Sequence, residues 1–227
     1  MMNENIKGLI KLILSILIYY VLNIFYFKLL GLVGLHFTGD AYTIANFIKY
    51  LIMALIVGIL YHGDINLSIH KYHKTILTSL IFTVGTVVLL VFLNVVLHKL
   101  ISSLGGMTTG YGFTNYFQNT LTLSSALEII EQCIIIPFLV VVIFSLGVSK
   151  VIRNINASSI ISAILYGLLL GLTLNTTFYV ALMSVIVPSV IILLLTYIYK
   201  ANSSIWMCII SYILYITFGA FIVGYVL

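Results

Sequence analysis

Seven apolar runs, each about as long as a bilayer-spanning helix, follow one another along this chain and leave room for little else. They lie roughly at 9–34, 44–62, 76–98, 123–148, 157–174, 178–199 and 204–226. A helix needs about 20 mostly apolar residues to cross a hydrocarbon core of about 30 Å. Inside that core the backbone must satisfy its own hydrogen bonds, which a helix does within a single segment. Only 7% of the residues are charged and 63% are hydrophobic, where a soluble domain carries about 25% charge. The expected fold is all-α, a polytopic transmembrane helix bundle of about seven spans. It forms a single membrane domain over 1–227, and no polar stretch is long enough to hide a soluble domain.

The charges suggest an orientation. Counting loops alternately from an internal N-terminus puts Lys7, Lys11, Lys71, Lys74, Lys150, Arg153 and Lys200 on one side. Lys28, Lys49 and Lys99 fall on the other, each near a span end where it can snorkel. The positive-inside rule then places the N-terminus in the cytoplasm and the C-terminus outside a cell membrane. The net charge of +5 is spread over these loops and does not point to nucleic acid; the partner it implies is the lipid bilayer. The first apolar run is too long for a signal-peptide core and lacks an A-x-A pattern, so it is expected to remain as the first membrane helix. Cys133 and Cys208 fall inside spans and read as small buried hydrophobes.

One connection is long. Residues 99–122 include Gly105-Gly106-Met107-Thr108-Thr109-Gly110-Tyr111-Gly112-Phe113, then Asn115, Gln118 and Asn119. Glycines break helix. The segment reads either as a re-entrant or surface stretch over the entrance to the next helix, or as an irregular linker with interfacial aromatics.

Two of the five acidic residues, Glu128 and Glu131, stand together in the fourth run. A charge at a bilayer centre costs roughly 2.5–3.5 kcal/mol on insertion scales. At i and i+3 the two share a helix face, and Gln132 is one step further round. One reading is an active or ion site in which a buried Glu acts as base. Another is a hydrogen-bonded pair that joins helices. A third is that Glu128, nearer the outer end, reaches water. His36, His62, His70, His73 and His98 all lie at span ends or in loops. The spacing His70-x-x-His73 sits in a basic loop and reads as a solvated face. Asn94, Asn175, Ser211 and Tyr212 read as helix–helix hydrogen-bonding groups. There is no nucleophile elbow, zinc-protease, phosphate-loop or C-x-x-C pattern, and nothing calls for a cofactor or a metal.

Residues 118–226 resemble the CPBP family, the CAAX-protease and bacteriocin-processing (Abi) intramembrane proteases. The family core is four membrane helices carrying E-E-x-x-x-R, then S-a-l-l-F-G-l-x-H, then a turn like Y-x-k-T-G-S-i-W, then a-x-i-l-x-H-x-x-x-N. Here Glu131-Gln132-Cys133-Ile134-Ile135-Ile136 stands at the first motif and Ser162-Ala163-Ile164-Leu165-Tyr166-Gly167-Leu168-Leu169-Leu170 at the second. Tyr199-Lys200-Ala201-Asn202-Ser203-Ser204-Ile205-Trp206 matches the turn, and Met207-Cys208-Ile209-Ile210-Ser211-Tyr212 opens the last helix. The resemblance implies a CPBP-like core over 123–227, with three spans and the long connection over 1–122 packed beside it.

The departures bear on activity. The second glutamate position is Gln132, the arginine position Ile136, the histidine positions Leu170 and Tyr212, and the asparagine position Ile216. Peptide hydrolysis needs a base for water and charge stabilisation for the oxyanion. Gln132 and Leu170 supply no base, and Tyr212 is a poor one. The expectation is a proteolytically inactive relative with a remnant site of Glu128, Glu131, Gln132 and Tyr212. It would hold a membrane-protein or peptide partner in bacteriocin immunity or cell-envelope regulation. The alternatives are an active endopeptidase in which Glu128 and Glu131 recruit His98, and a small proton- or cation-coupled transporter.

Overall fold

The computed structural model describes residues 4–74, 76–105, 122–171 and 178–226, and among them every regular element is helical. Seven helical segments follow the seven apolar runs. They are α1 (Glu4–Leu32), α2 (Asp40–Lys74), α3 (Ile76–Gly105), α4 (Leu123–Val151), α5 (Ile155–Gly171), α6 (Phe178–Asn202) and α7 (Ile205–Val226). Among the described residues, five segments are long and apolar enough to cross a membrane, within α1, α2, α3, α4 and α6; α5 and the apolar part of α7 are shorter. The chain is a multi-pass membrane protein. The stretch 106–121, which holds most of the long connection, the turn at 172–177 with Asn175, and the side chains of His70 and His73 lie outside the described residues.

Helix α4 is the axis of the bundle. Of its most apolar window 67% is buried by protein, against 17–28% in the other four long helices. It touches α1, α2, α5, α6 and α7. From Gln132 to Ser149 it carries no charge, so nothing in its sequence demands water over that length. Thr122 caps its start: the Thr122 hydroxyl accepts from Ser125 N (3.2 Å), and Ser125 Oγ accepts from Thr122 N (2.9 Å). Such reciprocal capping satisfies two of the donors that a helix start leaves open.

Small and hydroxyl residues let the neighbours close on α4, as is usual where packing rather than hydrophobicity drives helix association. A Cβ on Gly147 would lie 2.7 Å from Tyr61 Oη and 3.0 Å from Leu12 Cδ1, so this glycine sets how closely α4 meets α2 and α1. The Ser162 hydroxyl of α5 lies 2.7 Å from Phe144 O and from Ser158 O. Thr196 Oγ of α6 donates to Ser145 Oγ at 3.0 Å. The Cys208 thiol of α7 reaches Leu195 O of α6 at 3.3 Å. Ile205 N, opening α7, donates to Ser68 Oγ of α2 at 2.7 Å. Ser211 departs from the sequence expectation: its hydroxyl is buried and has no hydrogen-bond partner among the described residues.

The charges separate into two belts. Lys11 and Lys150 share Asp64 (3.7 and 2.6 Å), and Lys200 Nζ donates to Ser149 O and Arg153 O. These contacts gather α1, α2, α4 and α6 at one end of the bundle. By chain position Glu4, Lys7, Lys71 and Lys74 belong to that end too. It therefore holds seven basic and two acidic residues, the whole net charge of +5. The other belt, with Lys28, Asp40, Lys49, Lys99, Glu128 and Glu131, holds three of each and is neutral.

Candidate functional site

The belts fix the depth of Glu131. It stands 19 residues from Lys150 along α4 (150 − 131), at most about 28 Å at the α-helical rise of about 1.5 Å per residue, since the wider π-turns at Glu131–Ile135 and Val141–Gly147 shorten the path. That is close to the full hydrocarbon thickness of about 30 Å. Lys49 stands 15 residues from Asp64 along α2 (64 − 49), about 22 Å. With the basic belt at one boundary, Glu131 lies toward the opposite one rather than at the midplane. Its burial comes from protein: the residue is 1% exposed, while Glu128, one turn further out, is exposed.

Local backbone geometry helps to aim it. Residues 131–135 form a π-turn in which Ile136 N–H bonds Glu131 O, five residues back. Pro137 follows. A proline has no N–H for the carbonyl four residues earlier and its ring crowds that carbonyl; a single π-turn is one way a helix absorbs such a disruption. The wider turn starts at Glu131 and leaves the α-helical register between Glu128 and Glu131 intact. The two differ in cover: Glu128, one turn nearer the helix start, is exposed, Glu131 is buried, and Gln132 is half-buried and turned onto its neighbour.

Both amide contacts converge on one carboxylate oxygen. Asn46 Nδ2 of α2 donates to Glu131 Oε1 at 2.7 Å, and Gln132 Nε2 donates to the same oxygen at 3.1 Å. Lys49, one turn along α2 from Asn46, lies within electrostatic reach of Glu131. It is 5% exposed, its ammonium 4.2 Å from the Tyr50 ring centre and 5.7 Å from that of Phe27. A cation over an aromatic face gains electrostatically, most when desolvated. Among the described residues, Glu131 and Lys49 are the buried carboxylate and the buried ammonium. Each lessens the cost of enclosing the other. This corrects the expectation for Lys49 as a snorkelling end residue: α2 begins at Asp40, more than two turns earlier, and Lys49 is drawn in by its ring neighbours and its counter-charge.

Below the carboxylate runs a column of aromatic rings from five helices. Tyr50 of α2 is electrostatically coupled to Glu131 and to Tyr19 of α1. Tyr19 meets Phe144 of α4 edge-on at 6.4 Å, and Phe144 meets Tyr166 of α5 at 4.9 Å. Tyr166 and Tyr212 of α7 share a hydrogen bond, and Tyr212 stacks on Tyr215 at 6.0 Å. Cys133 is hydrogen-bonded to Thr217, which ties the start of α4 to α7.

The sequence-read residues thus divide. Glu131 and Gln132 are in contact. Tyr212 is buried in the same interior and is linked to Glu131 through the intervening tyrosines, and Glu128 stands outside. Leu170 packs at the edge of the same core. His98 is buried in α3, its ring bonded to Asn94 O of its own helix; α3 packs on α2, α6 and α7. Sequence reasoning missed Asn46 and Tyr50 altogether. Their signal was available: Asn46, Lys49 and Tyr50 fall at i, i+3 and i+4 inside an apolar run, the same facing pattern that singled out Glu128 and Glu131. Comparison with family profiles, with curated proteins and with solved structures finds no match to this chain.

Proposed function

We propose that this membrane protein holds a partner peptide or membrane segment at the Glu131 site without cleaving it, as a CPBP-like protein that has lost its catalytic set. The reading rests chiefly on one observation. The buried carboxylate is surrounded by two amides, an ammonium and phenols, all of which can donate hydrogen bonds. Cleavage needs a base that takes a proton from water and donors that receive the oxyanion. Donors are plentiful here. The positions at which the family pattern has histidine carry Leu170 and Tyr212. Such a site suits the hydrogen-bonding groups of an extended peptide and organises no attacking water.

The charge belts support a cytoplasmic basic end, which would set the Glu131 site toward the outer face of a cell membrane. A protein that holds a peptide there fits the immunity or envelope-regulating roles that the family resemblance implies.

The test places a photoreactive phenylalanine analogue at Tyr212 in native membranes. A discrete adduct with an uncleaved protein or peptide, lost in Glu131→Ala, is expected. Recovery of the partner as fragments that vanish in Glu131→Gln would make the protein an endopeptidase. The absence of any Glu131-dependent adduct would remove the reading.

A further inference from the structure

The basic belt has a local feature that the Glu131 site does not explain. Asp64 is half-buried and already shared between Lys11 and Lys150. Lys200 Nζ lies 2.8 Å from Ser149 O and 3.4 Å from Arg153 O. Carbonyls at a helix end orient an ammonium, but they do not neutralise it. Lys150 and Lys200 also sense each other as like charges. Between them Ser149 is only 8% exposed, and its hydroxyl has no hydrogen-bond partner among the described residues. Arg153 is exposed on the turn joining α4 to α5. Lys200 Nζ thus joins α6 to the end of α4 and its following turn, so that Lys150, Arg153 and Lys200 share one end of the bundle with a carboxylate, Asp64, that is already divided between two lysines.

Depth identifies the counterion. The belt lies at a hydrocarbon boundary, where phospholipid phosphates are densest, and basic pockets between membrane helices at that level suit anionic headgroups. Arginine and lysine bind phosphate well, the first through a planar fork and the second as a point charge. We infer that Lys150, Arg153 and Lys200, with the Ser149 hydroxyl, form a binding site for the phosphate of an anionic phospholipid headgroup. The lipid fastens the ends of α4 and α6 to each other and to the basic face of the membrane.

The test uses the purified full chain in phosphatidylcholine nanodiscs doped with phosphatidylglycerol, with bound lipid counted by native mass spectrometry after release into detergent. The wild type is expected to retain phosphatidylglycerol over phosphatidylcholine. Arg153→Gln and Lys200→Gln should each lower that retention about fivefold, while Lys28→Gln, which removes the same charge at the opposite end, leaves it unchanged. Arg153 is exposed, so its variant keeps the test meaningful if Lys200→Gln fails to fold. An equal loss in Lys28→Gln would reduce the effect to net charge and overturn the site. Retention unaffected by Arg153→Gln and Lys200→Gln would also overturn it. So would inorganic phosphate alone displacing the lipid at equal concentration, which would make free phosphate the ligand.

Discussion

Removing either buried charge at the Glu131 site strands the other. Consider Glu131→Gln, which keeps an acceptor for Asn46, and Lys49→Met, which keeps the side chain's length. Glu131 is 1% and Lys49 5% exposed, so neither finds water without the bundle opening. Breaking a buried pair from one side costs about 3–5 kcal/mol in soluble proteins. Two unit charges 4 Å apart attract by about 4 kcal/mol at an effective dielectric of about 20. The contact ion pairs among the described residues are those of Asp64; Glu131 and Lys49 act at longer range. Their coupling should therefore be smaller, about 1–3 kcal/mol. Each single variant is expected to melt well below the wild type. The double variant should lose less than the two single losses added together, by that coupling of about 1–3 kcal/mol. The assay is reversible unfolding in mixed micelles over a denaturing detergent, read as a double-mutant cycle. Additivity within about 0.5 kcal/mol would refute the compensation argument and leave each charge to water or lipid.

Two further variants test the packing that carries the site. A Cβ on Gly167 would lie 2.5 Å from Ser189 Oγ, 3.3 Å from Val185 Cγ1 and 3.6 Å from Ser189 Cβ. Gly167→Ala should thus destabilise by about 1–3 kcal/mol, and adding Ser189→Ala should restore most of it in the same unfolding assay. Ser162→Ala removes the hydroxyl between α5 and Phe144 O and is expected to cost about 0.6–1.7 kcal/mol, the range of hydrogen bonds between membrane helices.

The helices were legible because lipid leaves a chain so few options. Each apolar run marks a helix, yet the helices outrun them. The second run ends near 62, whereas α2 continues to Lys74 through Asp64, Asn66 and Ser68. Those polar residues contact α1, α4 and α7 or stand at the boundary, and hydropathy alone cannot register a helix that goes on beyond the hydrocarbon. Glu131 was legible for the converse reason, as a carboxylate whose burial has to be explained. Its partner helix was not. Which polar residue of α2 turns inward depends on how α2 packs against α4, through Gly147 against Tyr61, a contact 86 residues apart in sequence (147 − 61). The exposure of Glu128 was among the readings its place near the outer end of the run allowed; that α2 encloses Glu131 instead was not legible, because it depends on where Asn46 meets α4.

The separation of the two belts underlies both the Glu131 site and the headgroup site. It is tested most directly by labelling single cysteines from either side of the membrane. With Cys133 and Cys208, both buried, replaced by alanine, Glu128→Cys and Arg153→Cys are exposed to a membrane-impermeant maleimide in intact cells and in inverted vesicles. With the basic end in the cytoplasm, as proposed, Glu128→Cys should react only in intact cells and Arg153→Cys only in inverted vesicles. Reaction of both from the same side would contradict the separation, because α4 would then not carry Glu131 across to the boundary opposite the basic belt.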